Sequence, residues 1–270
     1  MSGSLEGKVC LVTGAARGQG RNHARRLAAE GASIVAFDIC AEAAHVGYPT
    51  STEGDLAETV ALVEGAGGKI ASRVGDVRVQ ADLDAAVSDA VSYFGRLDVV
   101  VANAAICNWG RFWEHDDEYW LSTMDINLTG VWRTFKAAVP LLLEQGRGGS
   151  LIAISSVCGL RSLPGQVAYS ASKHGVVGLV RGAALELGEY GIRVNSIHPW
   201  GVQTEMINDA EMATTLETHP HYLSSLAQAL PDPLVAEPDD ISNAVIYLAS
   251  DASRATTGIQ LPVDMGRLAV

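Results

Sequence analysis

Residues 8–31 read KVCLVTGAARGQGRNHARRLAAEG, and this stretch decides the fold class. The run KVCLVT is short, apolar and rich in β-formers, which predicts a strand, whereas RNHARRLAAEG is typical of a helix. Between them stand Gly14, Gly18 and Gly20, which allow a tight turn and close backbone approach to a pyrophosphate. The amino-terminal N–H groups of the helix would stabilise that charge. Strand, glycine turn and helix in this order predict a dinucleotide-binding unit.

Strands and helices keep alternating along the remaining chain, which has 270 residues, with no linker between them. We therefore expect an α/β architecture with a single doubly wound (Rossmann) domain over residues 1–270. The apolar fraction of 48% is ample for the core of such a domain. Residues 200–237 contain three prolines and no sustained period, and we predict that they form a lid.

Charge and cysteine usage exclude several classes of protein. A formal net charge of −12 argues against nucleic-acid binding, which needs a basic surface. The four cysteines are scattered without metal-type spacing, so we expect reduced thiols, no metal site and a cytoplasmic location. No uncharged run approaches the ~18 residues of a membrane helix, and Glu6 and Lys8 interrupt the amino-terminal segment. Neither a membrane span nor a signal peptide is expected.

The candidate chemistry lies in residues 156–173, SVCGLRSLPGQVAYSASK. Tyr169 and Lys173 are four residues apart in a predicted helix, so both side chains lie on one face. A phenol with a pKa of ~10 is a poor base near neutrality, and a nearby cation lowers that pKa by ~1–3 units. Ser156 ends an apolar run, which places its hydroxyl at the carboxyl end of a predicted strand, where α/β sheets bind ligands. By itself this tyrosine and lysine spacing is common, so the other motifs decide.

The second predicted strand, SIVAF, ends at Asp38. An acidic side chain there can accept hydrogen bonds from an adenosine ribose and repel a 2′-phosphate, which favours NAD over NADP. Asp38 could instead cap a helix or turn. Arg17 is the type of residue that binds a 2′-phosphate, so an NADP-dependent ketone reductase is the alternative.

Other positions along the chain point to the same site. The connection 39–54 has no sustained period and is predicted to fold over the adenosine end. Asp76 closes the third predicted strand, where an adenine ring or a simple helix cap would account for it, and Asn103 ends the fourth. Asn127 lies inside a predicted helix over 119–145, where asparagine is a mediocre helix former, and this favours a functional role.

Three aromatic residues, Trp109, Phe112 and Trp113, follow the fourth strand. They would line an apolar substrate pocket, or they would belong to the core or to an oligomer interface. The sequence does not separate the two interpretations.

Together these motifs resemble the short-chain dehydrogenase/reductase family over nearly the whole chain. They are TGAARGQG at 13–20, NAA at 103–105, Asn127, Ser156, YSASK at 169–173 and PWGVQT at 199–204. FDIC, GYPTSTEGDLAETV and IHPWGVQTEM are further similar to the carveol-dehydrogenase-like, mycofactocin-associated branch. The resemblance implies a seven-stranded, largely parallel sheet and a homotetramer.

The resemblance also implies a role for each matching position. Tyr169 would be the general acid/base, and Lys173 would lower its pKa and hold the nicotinamide ribose. Ser156 would hydrogen-bond the substrate oxygen, and Asn127 would position a proton-relaying water. Thr204 would contact the nicotinamide carboxamide.

Two departures from the family pattern affect the nicotinamide end. NAA replaces the commoner NAG, and Trp200 stands where the family usually has glycine, beside the expected nicotinamide site. The expected activity interconverts a hydrophobic secondary alcohol, such as a cyclic terpenoid, and its ketone with NAD. The narrower resemblance implies that NAD is held as a prosthetic group and that a mycofactocin-type carrier accepts the electrons. A nucleotide-sensing protein without catalysis is the rival from another class.

Overall fold

The computed structural model describes residues 3–43 and 45–270, so Met1, Ser2 and Ala44 of the predicted domain and loop lie outside the described residues. Seven strands form one sheet: β1 (Val9–Thr13), β2 (Ser33–Asp38), β3 (Lys69–Val74), β4 (Val99–Ala102), β5 (Gly149–Ile154), β6 (Ile192–Pro199) and β7 (Gln260–Val263). Their order is β3-β2-β1-β4-β5-β6-β7, and all six neighbouring pairs are parallel. The doubly wound fold and the seven-stranded sheet are confirmed.

The described residues also form eight α-helices. They are α1 (Gly18–Ala29), α2 (Glu53–Gly65), α3 (Gln80–Phe94), α4 (Asp117–Met124), α5 (Gly130–Gln145), α6 (Val167–Leu187), α7 (Ala210–Thr218) and α8 (Pro238–Ala249). Within this part of the chain, no helix has the length and hydrophobicity to cross a membrane.

Two apolar cores lie on opposite faces of the sheet, because successive side chains of a strand point to opposite faces. Leu11 of β1 joins the core that α3, α5 and α6 cover, and its neighbour Val12 joins the core covered by α1, α2 and α8. Burial on both faces explains why the central strands are continuously apolar in sequence. The carboxyl ends of the strands remain free to carry a site.

The predicted connection 39–54 is shorter in the structure, because α2 begins at Glu53. Thr52 and Asp55 form a capping box, in which the Thr52 hydroxyl accepts from Asp55 N at 3.2 Å and Thr52 N donates to the Asp55 carboxylate at 2.8 Å. We call residues 39–52 the β2–α2 loop.

The residues predicted as one helix over 119–145 are all helical, but they do not form one regular α-helix. A π-helical turn over Asp125–Thr129 separates α4 from α5. Such a turn inserts an extra residue into the helix and is frequent at functional sites. Asn127 lies at its centre and is fully buried.

Residues 200–237, which we call the β6–α8 segment, were predicted to be irregular but contain α7. The Asp209 carboxylate caps this helix, accepting from Glu211 N at 2.7 Å and Met212 N at 3.2 Å. The sequence signal for this helix is therefore its capping aspartate and not a hydrophobic period.

Candidate active site

A cleft of about 370 Å³ runs along the carboxyl ends of the central strands. Asp38 lies at one end, the glycine turn in the middle, and Tyr169 and Lys173 at the other. The β2–α2 loop and the β6–α8 segment both add lining residues. The strand order reverses between β1 and β4, which is where open α/β sheets bind dinucleotides.

The glycine turn between β1 and α1 has the shape that a phosphate group requires. Gly14 has a φ of +67°, and a Cβ on Gly20 would lie 1.9 Å from the Gly14 carbonyl oxygen, so both positions need glycine. Arg17 is the N-cap residue of α1, and its side chain makes no capping hydrogen bond in the described structure. The first N–H groups of α1 are thus suited to bind an anion from the cleft, and the turn fits a pyrophosphate.

Asp38 is only 5% exposed and both of its carboxylate oxygens have partners. One oxygen accepts from Ala16 N at 2.9 Å, and the other accepts from the Ser51 hydroxyl at 2.6 Å and Cys40 N at 3.1 Å. A carboxylate offers about four acceptor positions, so roughly one remains for a ligand hydroxyl. Asp38 therefore lines the cleft while it also ties the glycine turn to the β2–α2 loop.

Arg17 lines the cleft beside the same loop. Its guanidinium carbon lies 5.9 Å from the centre of the Tyr48 ring, which is cation–π geometry. The buried Tyr48 hydroxyl in turn accepts from Cys107 N at 3.0 Å. Tyr48, which sequence patterns did not single out, thereby joins the loop to the chain that follows β4.

Asp76 and Asn103 both line the cleft and both also support turns. The Asp76 carboxylate accepts from the Arg78 backbone N–H at 2.8 Å and forms an ion pair with the Arg78 side chain at 2.6 Å. The Asn103 amide donates to the carbonyls of Thr13 at 3.0 Å and Gly14 at 3.2 Å. Both residues hold the backbone around the predicted adenosine site.

Thr204 and Trp200 begin the β6–α8 segment on the opposite side of the cleft. The Thr204 methyl group would lie 3.3 Å from a Cβ on Gly18, so Thr204 faces the glycine turn directly. The Trp200 ring packs against the apolar cluster that contains Tyr169, and the Arg267 guanidinium lies 5.1 Å from its centre. Trp200 therefore lies against the cluster that includes the tyrosine, but it does not line the cleft.

Tyr169 and Lys173 are both buried on α6, and the Lys173 ammonium lies 5.5 Å from the centre of the Tyr169 ring. The ammonium donates to the carbonyl of Ile154, the last residue of β5, at 2.9 Å. The Ser155 hydroxyl donates to the Lys173 carbonyl at 3.2 Å. The end of β5 thus fixes α6 at the lysine.

Ser156 follows this strand in extended backbone conformation. Its hydroxyl accepts from Cys158 N at 3.1 Å, and its carbonyl accepts from Gly159 N at 2.9 Å. The same carbonyl lies 2.6 Å from Nδ1 of His198 on β6. The serine is therefore held through both its side chain and its backbone.

The Asn127 amide is fully engaged with the backbone of Ile106. Its oxygen accepts from Ile106 N at 2.9 Å, and its nitrogen donates to Ile106 O at 2.8 Å and to the Ser172 hydroxyl at 3.3 Å. The π turn points this amide inward, and the amide links the chain after β4 to α6 beside the tyrosine.

Burial controls the protonation of the tyrosine and lysine. It raises the pKa of Tyr169 well above its usual value, with Cys107 and Cys158 acting in the same direction and the Ser156 hydroxyl against it. Burial lowers the pKa of Lys173 to about 8. Removal from water disfavours both charged forms, so burial opposes the lowering of the phenol's pKa that is expected from Lys173. The phenol carries its proton at neutral pH.

The aromatic residues after β4 separate into two environments. Trp109 is buried, and a Cβ on Gly165 would lie 3.1 Å from its ring. Phe112 and Trp113 are 61% and 62% exposed and pack edge to face against each other. None of the three lines the cleft in the described structure, so their positions do not support the interpretation as a substrate pocket, and Trp109 belongs to the buried core.

Gln166 and His198 were not predicted, although both are fully or almost fully buried beside the site. The Gln166 amide donates to the Cys107 sulfur at 2.9 Å and accepts from the Cys158 thiol at 3.3 Å. His198 is a polar residue in the buried strand β6, and that pattern was a usable signal. Gln166 lies in a connection without periodicity and gave none.

Comparisons with known proteins were made over the whole chain. The family model described as enoyl-(acyl carrier protein) reductase matches residues 14–267. An uncharacterized NAD-dependent oxidoreductase of Mycobacterium tuberculosis is 51% identical over 271 residues, covering 98% of each chain. The (-)-trans-carveol dehydrogenase of Rhodococcus erythropolis is 44% identical over 272 residues, covering 97% of this chain and 98% of the relative.

Solved structures show the same similarity. The crystal structure of a short chain dehydrogenase from Mycobacterium paratuberculosis bound to NAD matches with a TM-score of 0.96 and 46% identity. The match covers 99% of this chain and 100% of the solved one. Sequence and fold are therefore both similar to one group of oxidoreductases over nearly the whole chain.

Proposed function

The chain belongs to the short-chain dehydrogenase/reductase family, and on that basis we propose that it is an NAD-dependent alcohol dehydrogenase. It would interconvert a hydrophobic secondary alcohol and its ketone. The observation that carries the proposal is one continuous cleft that is lined by Asp38, the glycine turn, Tyr169 and Lys173. Ser156 does not line this cleft, but its side chain hydrogen-bonds Tyr169.

The residues that would hold NAD are distributed along this cleft. The first N–H groups of α1 would bind the pyrophosphate, and Asp38 would accept from the adenosine ribose through its remaining acceptor position. Thr204 and Lys173 would contact the nicotinamide end. When bound, NAD supplies the hydride acceptor.

The protein's own part is to position the alcohol and move one proton. The Ser156 hydroxyl would hydrogen-bond the substrate oxygen, and Tyr169 Oη would take the hydroxyl proton in oxidation or give it back in reduction. Because the phenol is protonated at neutral pH, it is prepared for reduction, and oxidation requires that its proton leave first. Lys173, when protonated, would favour the phenolate form of Tyr169. Asn127 would position a water that relays the proton.

The surroundings of Tyr169 support an apolar substrate. The cluster around it contains Val157 and Leu163, with Trp200, Met206, Leu226 and Leu268 packed against it. Of these residues, Met206 lines the cleft together with Tyr169. An uncharged carbon skeleton fits beside such a cluster better than a charged one, because burying an unpaired charge is costly. The R. erythropolis relative is named for a cyclic terpenoid alcohol, and we propose a substrate of that kind.

NAD is favoured over NADP by the buried Asp38 carboxylate in the cleft. Arg17, the candidate for a 2′-phosphate, stacks on Tyr48 instead of forming an ion pair with Asp38 in the described structure. A nucleotide-sensing protein without catalysis would have no use for the buried arrangement of Ser156, Tyr169 and Lys173. Both alternatives therefore have less support than the dehydrogenase.

We further propose that the β2–α2 loop and the β6–α8 segment form a lid that retains NAD as a prosthetic group. Ala210 N donates to Gly47 O at 3.4 Å, and a Cβ on Gly47 would lie 2.5 Å from the Asp209 carboxylate, so the two pieces touch. A mycofactocin-type carrier would then accept the electrons. This proposal and that of a homotetramer rest on the family resemblance.

One experiment tests the activity and the retention together. Purify the protein without added cofactor, heat-denature a sample and quantify nicotinamide nucleotide in the supernatant. Then screen cyclic and linear secondary alcohols with external NAD and with an artificial electron acceptor. Retained NAD with turnover only through the acceptor supports both proposals. Brisk turnover with added NAD by cofactor-free protein supports the dehydrogenase and rejects retention, and no turnover with either rejects the dehydrogenase.

A further inference from the structure

His198 is completely buried in β6 and makes two hydrogen bonds through its ring. Nδ1 lies 2.6 Å from the Ser156 carbonyl oxygen, and Nε2 lies 2.8 Å from the Ser196 hydroxyl. β5 and β6 are neighbouring parallel strands with Ile154 opposite Ile197, so Ser156, just beyond the end of β5, lies beside His198 of β6. The ring therefore contacts the backbone of the candidate substrate-binding serine.

The partners of the ring determine which nitrogen carries the proton. A carbonyl oxygen can only accept, so Nδ1 must donate to Ser156 O. The Ser196 hydroxyl can donate to Nε2 at 2.8 Å, which is shorter than its contact with the Ile259 carbonyl at 3.5 Å, and with this donation Nε2 accepts and the ring is neutral. Burial, which lowers the pKa of His198 to about 4, acts in the same direction. The neutral ring with its proton on Nδ1 satisfies both contacts.

We propose that His198 is a positioning residue that fixes Ser156 for catalysis by donating from Nδ1 to its carbonyl. This inference rests on the proposed function of Ser156. The carbonyl receives two donors, Gly159 N and His198, and the Ser156 hydroxyl receives Cys158 N, so the peptide plane and the side chain are held together. His198 touches neither substrate nor cofactor in this account, and it acts only through the serine.

A double-mutant cycle separates this role from general stabilisation. His198→Ala should lower kcat about tenfold or more, because small displacements of a catalytic group cost large factors in rate. In a Ser156→Ala background the same change should alter kcat less than about twofold. His198→Asn places an amide N–H near the position of Nδ1 and should recover most of the loss. Equal losses in both backgrounds, or no recovery with asparagine, would overturn the proposal.

His23→Ala is the matched control. His23 is also completely buried and hydrogen-bonded through Nδ1 to a serine, Ser242, but it lies between α1 and α8. The His23→Ala variant should lose thermal stability to a degree similar to that of His198→Ala, while its kcat changes little. A kcat loss equal to that of His198→Ala would show that destabilisation alone explains the effect.

A measurement without turnover keeps the inference separate from the proposed function. NMR of ¹⁵N-histidine-labelled wild-type protein should show His198 as a neutral ring protonated at Nδ1 throughout pH 5.5–8.5. A ring protonated at Nε2, or one that titrates in this range, would overturn the proposed contact even if alcohols are oxidised. If no alcohol reacts but the Nδ1 form is found, the contact stands and the failure belongs to the proposed function.

Discussion

Two regions of the molecule border the cleft, and they are held in different ways. The β5–α6 corner, which we define as residues 154–156 and 169–173, is buried and tied to its neighbours by Ile154, Ser155 and Ser156 in succession. The cover, which is the β2–α2 loop with the β6–α8 segment, is mostly half-buried or exposed. Its hydrogen bonds, such as those from Ala210 N to Gly47 O at 3.4 Å and from Cys107 N to the Tyr48 hydroxyl at 3.0 Å, join it to several different parts of the chain. We therefore expect changes in the corner to affect the rate of the chemical step and changes in the cover to affect the retention of NAD.

Tyr169→Phe tests the corner with the largest expected effect. The substitution removes the proton acceptor and little packing, so kcat for alcohol oxidation should fall by at least ~10²–10⁴. The affinity for NAD, measured by calorimetry or fluorescence, should stay within about twofold. Tyr93→Phe, at a tyrosine that is 67% exposed, is the control and should leave kcat unchanged. Near-normal turnover of Tyr169→Phe would remove the tyrosine from the mechanism.

The burial of Lys173 in the corner predicts that the free energy of unfolding of the protein depends on pH. Its pKa is lowered from 10.5 to about 8, so the folded protein loses this proton at lower pH than the unfolded chain. The free energy of unfolding should therefore rise with pH between about 8 and 10.5, by roughly 3 kcal/mol at most from this group. Lys173→Met should remove the rise in a series of urea titrations.

Lys136→Met provides the control for that series, because Lys136 is exposed on α5. Its pH profile should follow that of the unmodified protein, whatever the other groups contribute. If Lys173→Met and Lys136→Met show the same profile, Lys173 does not pay a burial cost in the folded protein.

Asp38→Ala acts at the join between the glycine turn and the cover. Hydrogen bonds to a charged group contribute about 1.5–3 kcal/mol, so the affinity for NAD should fall roughly 10- to 100-fold. The affinity for NADP should fall less, because the repulsion of a 2′-phosphate is also removed. Titration of both cofactors into both proteins measures this. Equal affinity of the unmodified protein for NAD and NADP would contradict the role of Asp38.

Tyr48→Phe tests the cover with the smallest expected effect. The substitution leaves the buried Cys107 N–H without its acceptor. A loss of about 1.4 kcal/mol in the free energy that holds the cover closed corresponds to a tenfold change in the rate of NAD release. The release of NAD should become about tenfold faster, whereas single-turnover oxidation should remain close to normal. Tyr190→Phe, at an exposed tyrosine, is the control. If single-turnover oxidation by Tyr48→Phe were slower while NAD release was unchanged, the cover would not act on NAD retention separately from the chemical step.

The sequence predicted those parts of the molecule that depend on local patterns. The glycine turn follows from three glycines between a strand and a helix, and the shared face of Tyr169 and Lys173 follows from helical spacing. Asn127 stood out because asparagine suits a helix poorly. Its π turn was missed, because one inserted residue leaves the helical composition unchanged.

The remaining features depend on contacts between distant parts of the chain. Nothing local indicates that Tyr48 reaches Cys107, or that Gly47 meets Ala210. The rise in the pKa of Tyr169 was not predicted for the same reason. Spacing places a cation near the phenol, but only the packed structure shows how completely both groups leave water.

Our central proposal is that a secondary alcohol bound in this cleft transfers a hydride to NAD while Tyr169 takes its proton. The most direct measurement supplies an alcohol found in the screen, with deuterium on its carbinol carbon, and analyses the nicotinamide nucleotide by mass spectrometry after a single turnover. The account predicts one deuterium per reduced nucleotide with the unmodified protein, and a rate at least ~10² lower with Tyr169→Phe. Reduced nucleotide without deuterium, or equal rates for the two proteins, would contradict it.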